Sequence, residues 1–442
     1  MPWTPTTSGF TRPLGPNEVF IKLVSDPGHA LGREHWAPPR YIYGLVGFAR
    51  SATNFDALQL VTSSFPAPQS SCARGIPNVI YKVPGSTDAL NEWASQTFVV
   101  KADAPSADDV ISTIAPAADA QLYYIPQSSE LLLHTAHWRM DGVSGMLLLG
   151  QLVDLMTSHA DTLLSGKLPD PFEAFDWGSE SVRLSPSVEE AGNMPLTATE
   201  EHKAIAHGAV GTFALAAGAL GVPYTGDAST LPSGTRAAKL KLSPRMTADA
   251  RAAAKSRGVD ITSAVHASLA AVNFRRAIPE HQGRHYTSTI KQSLRPYLPE
   301  PYSTPTAAAA LFTSGWLVRV DASGTWDENA RAHREYASTL VDVIKNLPTP
   351  TEPPSDMDIS SMGIMEKYLN PEYGTPERGF SILNAGVGVK MLTRQGVVFV
   401  WTFRDQLTLR LVYNEAFHTP EQMNEFLKDV QGDLLRELEV TE

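Results

Sequence analysis

Apolar residues fall at every second position of "QLTLRLVY", so Leu407, Leu409, Leu411 and Tyr413 share one face of a predicted strand. The preceding "VVFVWTF" supplies its hairpin partner. Thr419 and Gln422 then form a capping-box pattern with Pro420 at the first helical position. Met423, Phe426, Leu427, Val430, Leu434 and Leu438 give the helix that follows one apolar face, which must dock on a sheet. Upstream, "RAAKLKL" reads as a short strand. In "MTADARAAAKSRG" the pattern predicts a helix with Thr247 as N-cap, Lys255 and Arg257 in the last turn, and Gly258 to end it. "TSAVHASLAAVNFRRA" predicts a second helix, rich in small residues and suited to close packing. "HYTSTIKQSLRPYL" and "ALFTSGWLVRV" read as strands, and "WDENARAHREYASTLVDVIKN" as another helix.

The first half mixes extended pieces, "EVFIKLV" (18–24) and "RYIYGLVGFA" (40–49), with proline-rich turns. Residues 130–136, "ELLLHTA", have strand length, and 143–156 have helix length, so "HWRMDG" (137–142) lies on a strand-to-helix turn. Between about 165 and 235 the chain is irregular around one helical stretch at 198–218. The expected fold class is α+β: an N-terminal domain over 1–190, a connection over 191–235 and a C-terminal domain over 236–442.

Composition narrows the function. The chain has 442 residues, enough for two to three domains of ordinary size, and 43% of them are hydrophobic. A net charge of -11 argues against nucleic acid as a partner. The single cysteine, Cys72, allows no internal disulfide and no cysteine zinc cluster. The apolar stretch at 209–222 is too short and too rich in glycine and alanine to span a bilayer, and "MPWTPTTSGF" lacks signal-peptide order. A cytoplasmic monomer that binds no membrane is the expectation.

His137 is the candidate general base, because imidazole is the side chain best suited to take a proton near neutral pH and Gly142 lets a ligand approach the backbone nearby. His134, three residues earlier, points to the opposite face of the strand and reads as a buried sheet histidine. Asp141 admits three roles: orienting the imidazole, capping the following helix, or pairing with a distant arginine. A structural role is favoured, with Arg295 of "QSLRPYL" as the partner. "GVSG" lacks the full nucleophile elbow, so Ser144 has little support as a nucleophile, and "STIK" has no K-T-G behind it. No H-E-x-x-H, phosphate loop or dinucleotide fingerprint occurs.

The residues His137, Asp141 and Gly142, with "RPLGPNE", "SRGVDITSAVHASLAAV", "SLRPYL" and "LTLRLVYNEAF", make the chain resemble the chloramphenicol acetyltransferase-like superfamily. That superfamily includes the plant and fungal BAHD acyltransferases, alcohol acetyltransferases and peptide-synthetase condensation domains. The nearest flavour is the fungal trichothecene 15-O-acetyltransferase-like group. Ala136 stands where condensation domains carry a tandem histidine, and "FSILNAGVG" (380–388) stands where plant enzymes carry D-F-G-W-G. The resemblance therefore implies a stand-alone acyltransferase with two similar domains, each a mixed sheet flanked by helices, and an interdomain tunnel. It implies no bound cofactor, acyl-CoA as cosubstrate and a small-molecule alcohol as acceptor. Ser381, Asn384 and Trp401 are implied as oxyanion or channel residues, and Lys239, Lys241, Arg245 and Lys291 as cations for the CoA phosphates. Two alternatives remain: an acyl carrier protein as donor, or a cyclase or binding protein on the same fold.

Overall fold

The computed structural model describes residues 3–22, 42–51, 69–71, 78–160, 176–321, 325–327 and 355–441, less 205–212, 377–378 and a few single positions. Cys72 and most of the helix expected at 326–346 lie outside the described residues.

A small sheet of β1 (Thr4–Thr6), β2 (Gly9–Pro13), β4 (Gln69–Ser71) and β5 (Asn78–Lys82) runs in the order β1-β2-β5-β4. The six-stranded sheet takes β3 (Ile42–Ser51), β6 (Phe98–Val100), β7 (Gln121–Ile125) and β8 (Glu130–Thr135) from the first half. It is completed by β13 (Glu372–Gly374) and β14 (Gly379–Met391), in the order β13-β14-β3-β8-β7-β6. A stretch of the second half of the chain thus crosses over to pair with β3, a contact between the halves that the sequence division does not describe. A four-stranded sheet follows the order β12-β15-β16-β9, built from β9 (Thr235–Lys241), β12 (Met357–Ile364), β15 (Gly396–Phe403) and β16 (Gln406–Asn414). β10 (Tyr286–Ser293) and β11 (Thr313–Val320) form an antiparallel pair. Mixed sheets flanked by helices are the architecture expected from the sequence.

β15 explains how the layers stack. All eight of its residues are buried, and period two splits them between two cores. Val398 and Val400 join Leu407, Leu409, Leu411 and Tyr413 under the helices. Val397, Phe399, Trp401 and Phe403 face the six-stranded sheet and pack with Leu131, Leu133, Ile382 and Val387. Each such aliphatic side chain contributes roughly 1.5–3 kcal/mol on burial, so the strand binds both layers.

The helices follow their local signals. α1 (Thr87–Thr97) and α2 (Ala107–Thr113) start at Ser86 and Ser106, and α3 (Gly142–Ser158) starts at Asp141. α4 (Pro244–Ser256) starts one turn earlier than expected: Ser243 is its N-cap and Pro244 its first residue. Thr247 is buried instead, and its Oγ1 accepts the Leu407 amide at 2.9 Å, fastening the helix to β16. Gly258, at φ +74°, ends it as predicted. α5 (Ile261–Arg275) buries its small residues, and α6 (Pro420–Glu437) is capped by Thr419, which accepts the Gln422 amide. The Gln422 side chain does not close the box but donates to the Pro223 carbonyl at 2.6 Å.

One element differs in kind. Residues 16–22 are helical rather than extended, which covers "EVFIK" (18–22); Leu23 and Val24 lie outside the described residues. The signal is in "GPNE": Pro16 occupies the first helical position, and the Glu18 carboxylate reaches back to the Gly15 amide at 2.7 Å. Arg12 then clamps the same carboxylate with two bonds of 2.7 Å. Of the helix expected at 198–218, residues 200, 201, 203 and 204 are helical and Phe213–Ala216 form a 3-10 turn.

Candidate active site

β8 ends at Thr135, and the chain makes one turn before α3. Trp138 and Met140 anchor that turn on opposite sides. Trp138 is buried against Leu14 and Val79 of the small sheet, with Arg139 and Lys22 over its ring, while Met140 enters the core shared by the two large sheets. His134 is buried in the strand, three residues from His137 and on the other face.

His137 is half-buried and lines a cavity of about 110 Å³. The wall also includes Gly142, Lys291, Ser360, Met362, Tyr368 and Phe399, so β10, β12 and β15 all contribute to it. The volume lies well below the roughly 300–1,000 Å³ of pockets that hold a whole drug-sized ligand. It suits a reacting centre. Nδ1 of His137 is buried without a hydrogen bond of regular geometry, and the residue itself lines the cavity. Burial is the main influence and lowers the imidazole pKa below its ordinary 6.5. The backbone at His137 and Met140 and the charge of Asp141 pull it back, while Lys291 lowers it further. A neutral ring, ready to accept a proton, is the result at neutral pH.

Asp141 is not aimed at the imidazole as a triad member would be. Its Oδ1 accepts the Ser144 amide at 2.8 Å as the cap of α3, and its Oδ2 accepts the Phe312 amide at 2.8 Å. Those two bonds hold the start of the helix against the segment leading into β11. Arg295 belongs to the same cluster but does not bond Asp141. Its Nη2 donates to Ser144 Oγ at 2.9 Å and to the Ala308 carbonyl at 3.2 Å, and the guanidinium lies 5.0 Å from the Phe312 ring centre. Burial lowers the Arg295 pKa, and the nearby Asp141 charge partly offsets this. Ser144 is fully buried and donates to the Ala310 carbonyl, which fits the weak case for it as a nucleophile. Gly142 sits where a Cβ would meet Met362 Sδ at 3.1 Å and Val387 Cγ2 at 3.4 Å.

The other expected residues lie elsewhere. Ser381 bonds Glu372 and Arg404, Asn384 sits beside a bulge of β14, and Trp401 is buried in the shared core; none of the three lines the cavity. β14 lines the cavity through Val387 and Val389 instead and carries register shifts at Ile382/Asn384 and Val389/Lys390, which period two alone cannot reveal. Of the four cations, Lys291 alone lines this cavity. Arg245 pairs with Asp249, whereas Lys239 and Lys241 stand on β9 near Arg410 and Arg404.

Ser360 and Tyr368 were missed by the sequence reading. Ser360, Ser361 and Met362 of β12 line the cavity next to a register shift at Ser361/Gly363, which the unremarkable "DISSMGI" conceals. Burial, then the Asp141 charge, raises the Tyr368 pKa, so it remains a phenol. Among the described residues, no group of three or more acidic, histidine or cysteine side chains could hold a metal, and no helix is long and apolar enough to cross a membrane.

No family model matches the chain. It is 38% identical over 468 residues to "Acetyltransferase pigO" of Monascus ruber, covering 99% of this chain and 98% of that protein. It is 30% identical over 467 residues to "O-acetyltransferase pigM" of the same organism, covering 100% and 88%. Among solved structures, TRI3 trichothecene 15-O-acetyltransferase from Fusarium sporotrichioides superimposes with a TM-score of 0.73 at 19% identity, over 98% of this chain and 97% of that one. On this evidence the chain belongs to the acetyltransferase family that includes pigO and pigM, on a two-domain chloramphenicol acetyltransferase-like fold.

Proposed function

We propose that the protein moves an acyl group from acyl-CoA to a hydroxyl of a small secondary metabolite, with His137 as general base and no acyl-enzyme. The observation that carries this reading is the His137 side chain at the β8–α3 turn, lining a small cavity, with burial lowering its pKa so that the ring is neutral at neutral pH. The acceptor oxygen attacks the thioester carbonyl carbon as its proton passes to Nε2, and the carbonyl π pair moves onto oxygen. Collapse re-forms the carbonyl and breaks the carbon–sulfur bond. The departing thiolate then takes the proton from the imidazolium. Donor and acceptor reach His137 from opposite ends of an interdomain tunnel, and the protein acts as a cytoplasmic monomer.

The relatives named as acetyltransferases support an acetyl donor, and the O-acetyltransferases among them support oxygen as the nucleophile. The test is release of free CoA from acetyl-CoA by the purified protein with a panel of hydroxylated fungal metabolites, the products being weighed by mass spectrometry. A parallel arm offers the same acetyl group on a carrier-protein thioester. Turnover with acetyl-CoA that disappears in a folded His137→Ala protein supports the reading. Turnover only with the carrier thioester, or with neither donor, overturns the CoA assignment.

A further inference from the structure

We propose that Lys291 is a catalytic residue, its ammonium donating a hydrogen bond to the oxyanion of the tetrahedral intermediate. The inference rests on the acyl-transfer reading above. An ammonium carries three N–H donors. Lys291 spends two of them, on the Asp358 carboxylate and on the Ile359 carbonyl at 3.0 Å. The side chain lines the cavity that holds His137 and keeps 21% of its surface open, so the third N–H has the cavity as its remaining outlet.

Asp358 is fixed through one oxygen, which leaves Oδ2 to hold the ammonium. Its Oδ1 already accepts Ser288 Oγ at 2.7 Å, the Thr289 amide at 3.0 Å and the Ile359 amide at 2.8 Å. Three hydrogen bonds from two strands, β10 and β12, therefore fix one carboxylate, and the carboxylate fixes the cation. Burying such a pair gives little or no net stability, so stability does not explain its presence at a cavity wall. A fixed donor that needs no reorganisation is what a developing oxyanion requires. The cation also opposes protonation of His137, keeping the base in its working form. Atoms balance without any further reagent: the electron pair displaced from the carbonyl rests on the oxygen beside Lys291 and returns when the thiolate leaves.

Lys291→Met tests the assignment in the full-length protein, with acetyl-CoA as donor and, as acceptors, water alone and the alcohol that supports transfer. The expected result is a fall in kcat on the order of 10²–10³-fold at an unchanged KM for acetyl-CoA. The acid limb of the pH profile should also move to higher pH, because the Lys291 charge that opposes protonation of His137 is gone. Lys291→Arg should keep the limb in place and recover part of the rate. Because Lys291→Met leaves Asp358 without its cation, Lys291→Met/Asp358→Asn serves as the folded counterpart. Wild-type kcat in that double variant overturns the proposal, and so does a raised KM for acetyl-CoA with kcat intact. A His137→Ala protein that still turns over while Lys291→Met does not would remove the base reading alone.

Discussion

Arg295 and Asp141 meet through a third residue. Ser144 gives its amide to the Asp141 carboxylate at 2.8 Å, and its hydroxyl receives the Arg295 guanidinium at 2.9 Å. Opposite charges thus hold the first turn of α3 from two sides without forming a direct ion pair. Backbone groups complete the arrangement, with Phe312 donating to Asp141 and Ala310 accepting from Ser144.

From this follows a stability prediction for Asp141. Asp141→Ala leaves the buried amides of Ser144 and Phe312 without acceptors, a loss on the order of 2–4 kcal/mol. Asp141→Asn keeps one acceptor oxygen and should lose about half as much. Urea unfolding monitored by circular dichroism measures both. An Asp141→Ala protein as stable as the wild type would rule out the tether.

The pH dependence of turnover follows from the lowered His137 pKa. A base works when deprotonated, so kcat/KM should hold from neutral pH down past 6.5 and decline only on the acid side of that value. His137→Ala should abolish transfer and leave the melting temperature close to the wild type, since the ring is only half-buried. A rate profile centred above 6.5 would contradict the desolvated imidazole.

Asp356 predicts a pH effect of the opposite sense. It is fully buried, and desolvation, then the Asp358 charge, pushes its carboxyl up to about 7 from an ordinary 3.8, against the pull of two Gln395 contacts at 3.1 Å and of Lys291. A raised carboxyl favours the folded state below the unfolded value, and that contribution is lost as pH rises from about 3.8 through about 7. The loss is at most ~1.4 kcal/mol per pH unit. Asp356→Asn cannot ionise, so its melting temperature relative to wild type should climb between pH 5 and pH 8. A flat difference across that range would refute a protonated Asp356.

Gly142 predicts a change in turnover more than in stability. An added Cβ would press Met362 by a few tenths of an ångström, and Met362 yields because its thioether is flexible and borders the cavity. Gly142→Ala should cost about 1 kcal/mol in thermal unfolding while slowing acyl transfer through the narrowed cavity. Adding Met362→Ala should restore the rate. If the rate stays low with the clash removed, the glycine serves backbone approach rather than space.

Much of the architecture was written in local pattern. The β15–β16 hairpin and α6 follow from period two, a capping threonine and an apolar helix face, all read within a few residues. The His137 turn was legible for the same reason, since a strand-length run and a helix-length run meet there. Ser381, Asn384 and Trp401 lie off the wall of this cavity, which periodicity could not show because a place in a site is set by distance from other segments.

The sequence by itself determined where most strands and helices form, because side-chain alternation and helix caps act over one to four residues. Only the tertiary structure decided that β14 leaves its own half to pair with β3 and that Asp141, the cap of α3, also holds Phe312. It also decided that one lysine in "STIK" stands in the cavity with His137. Those outcomes depend on groups far apart in the chain finding their hydrogen bonds, and burial makes each unsatisfied group costly enough to select one arrangement.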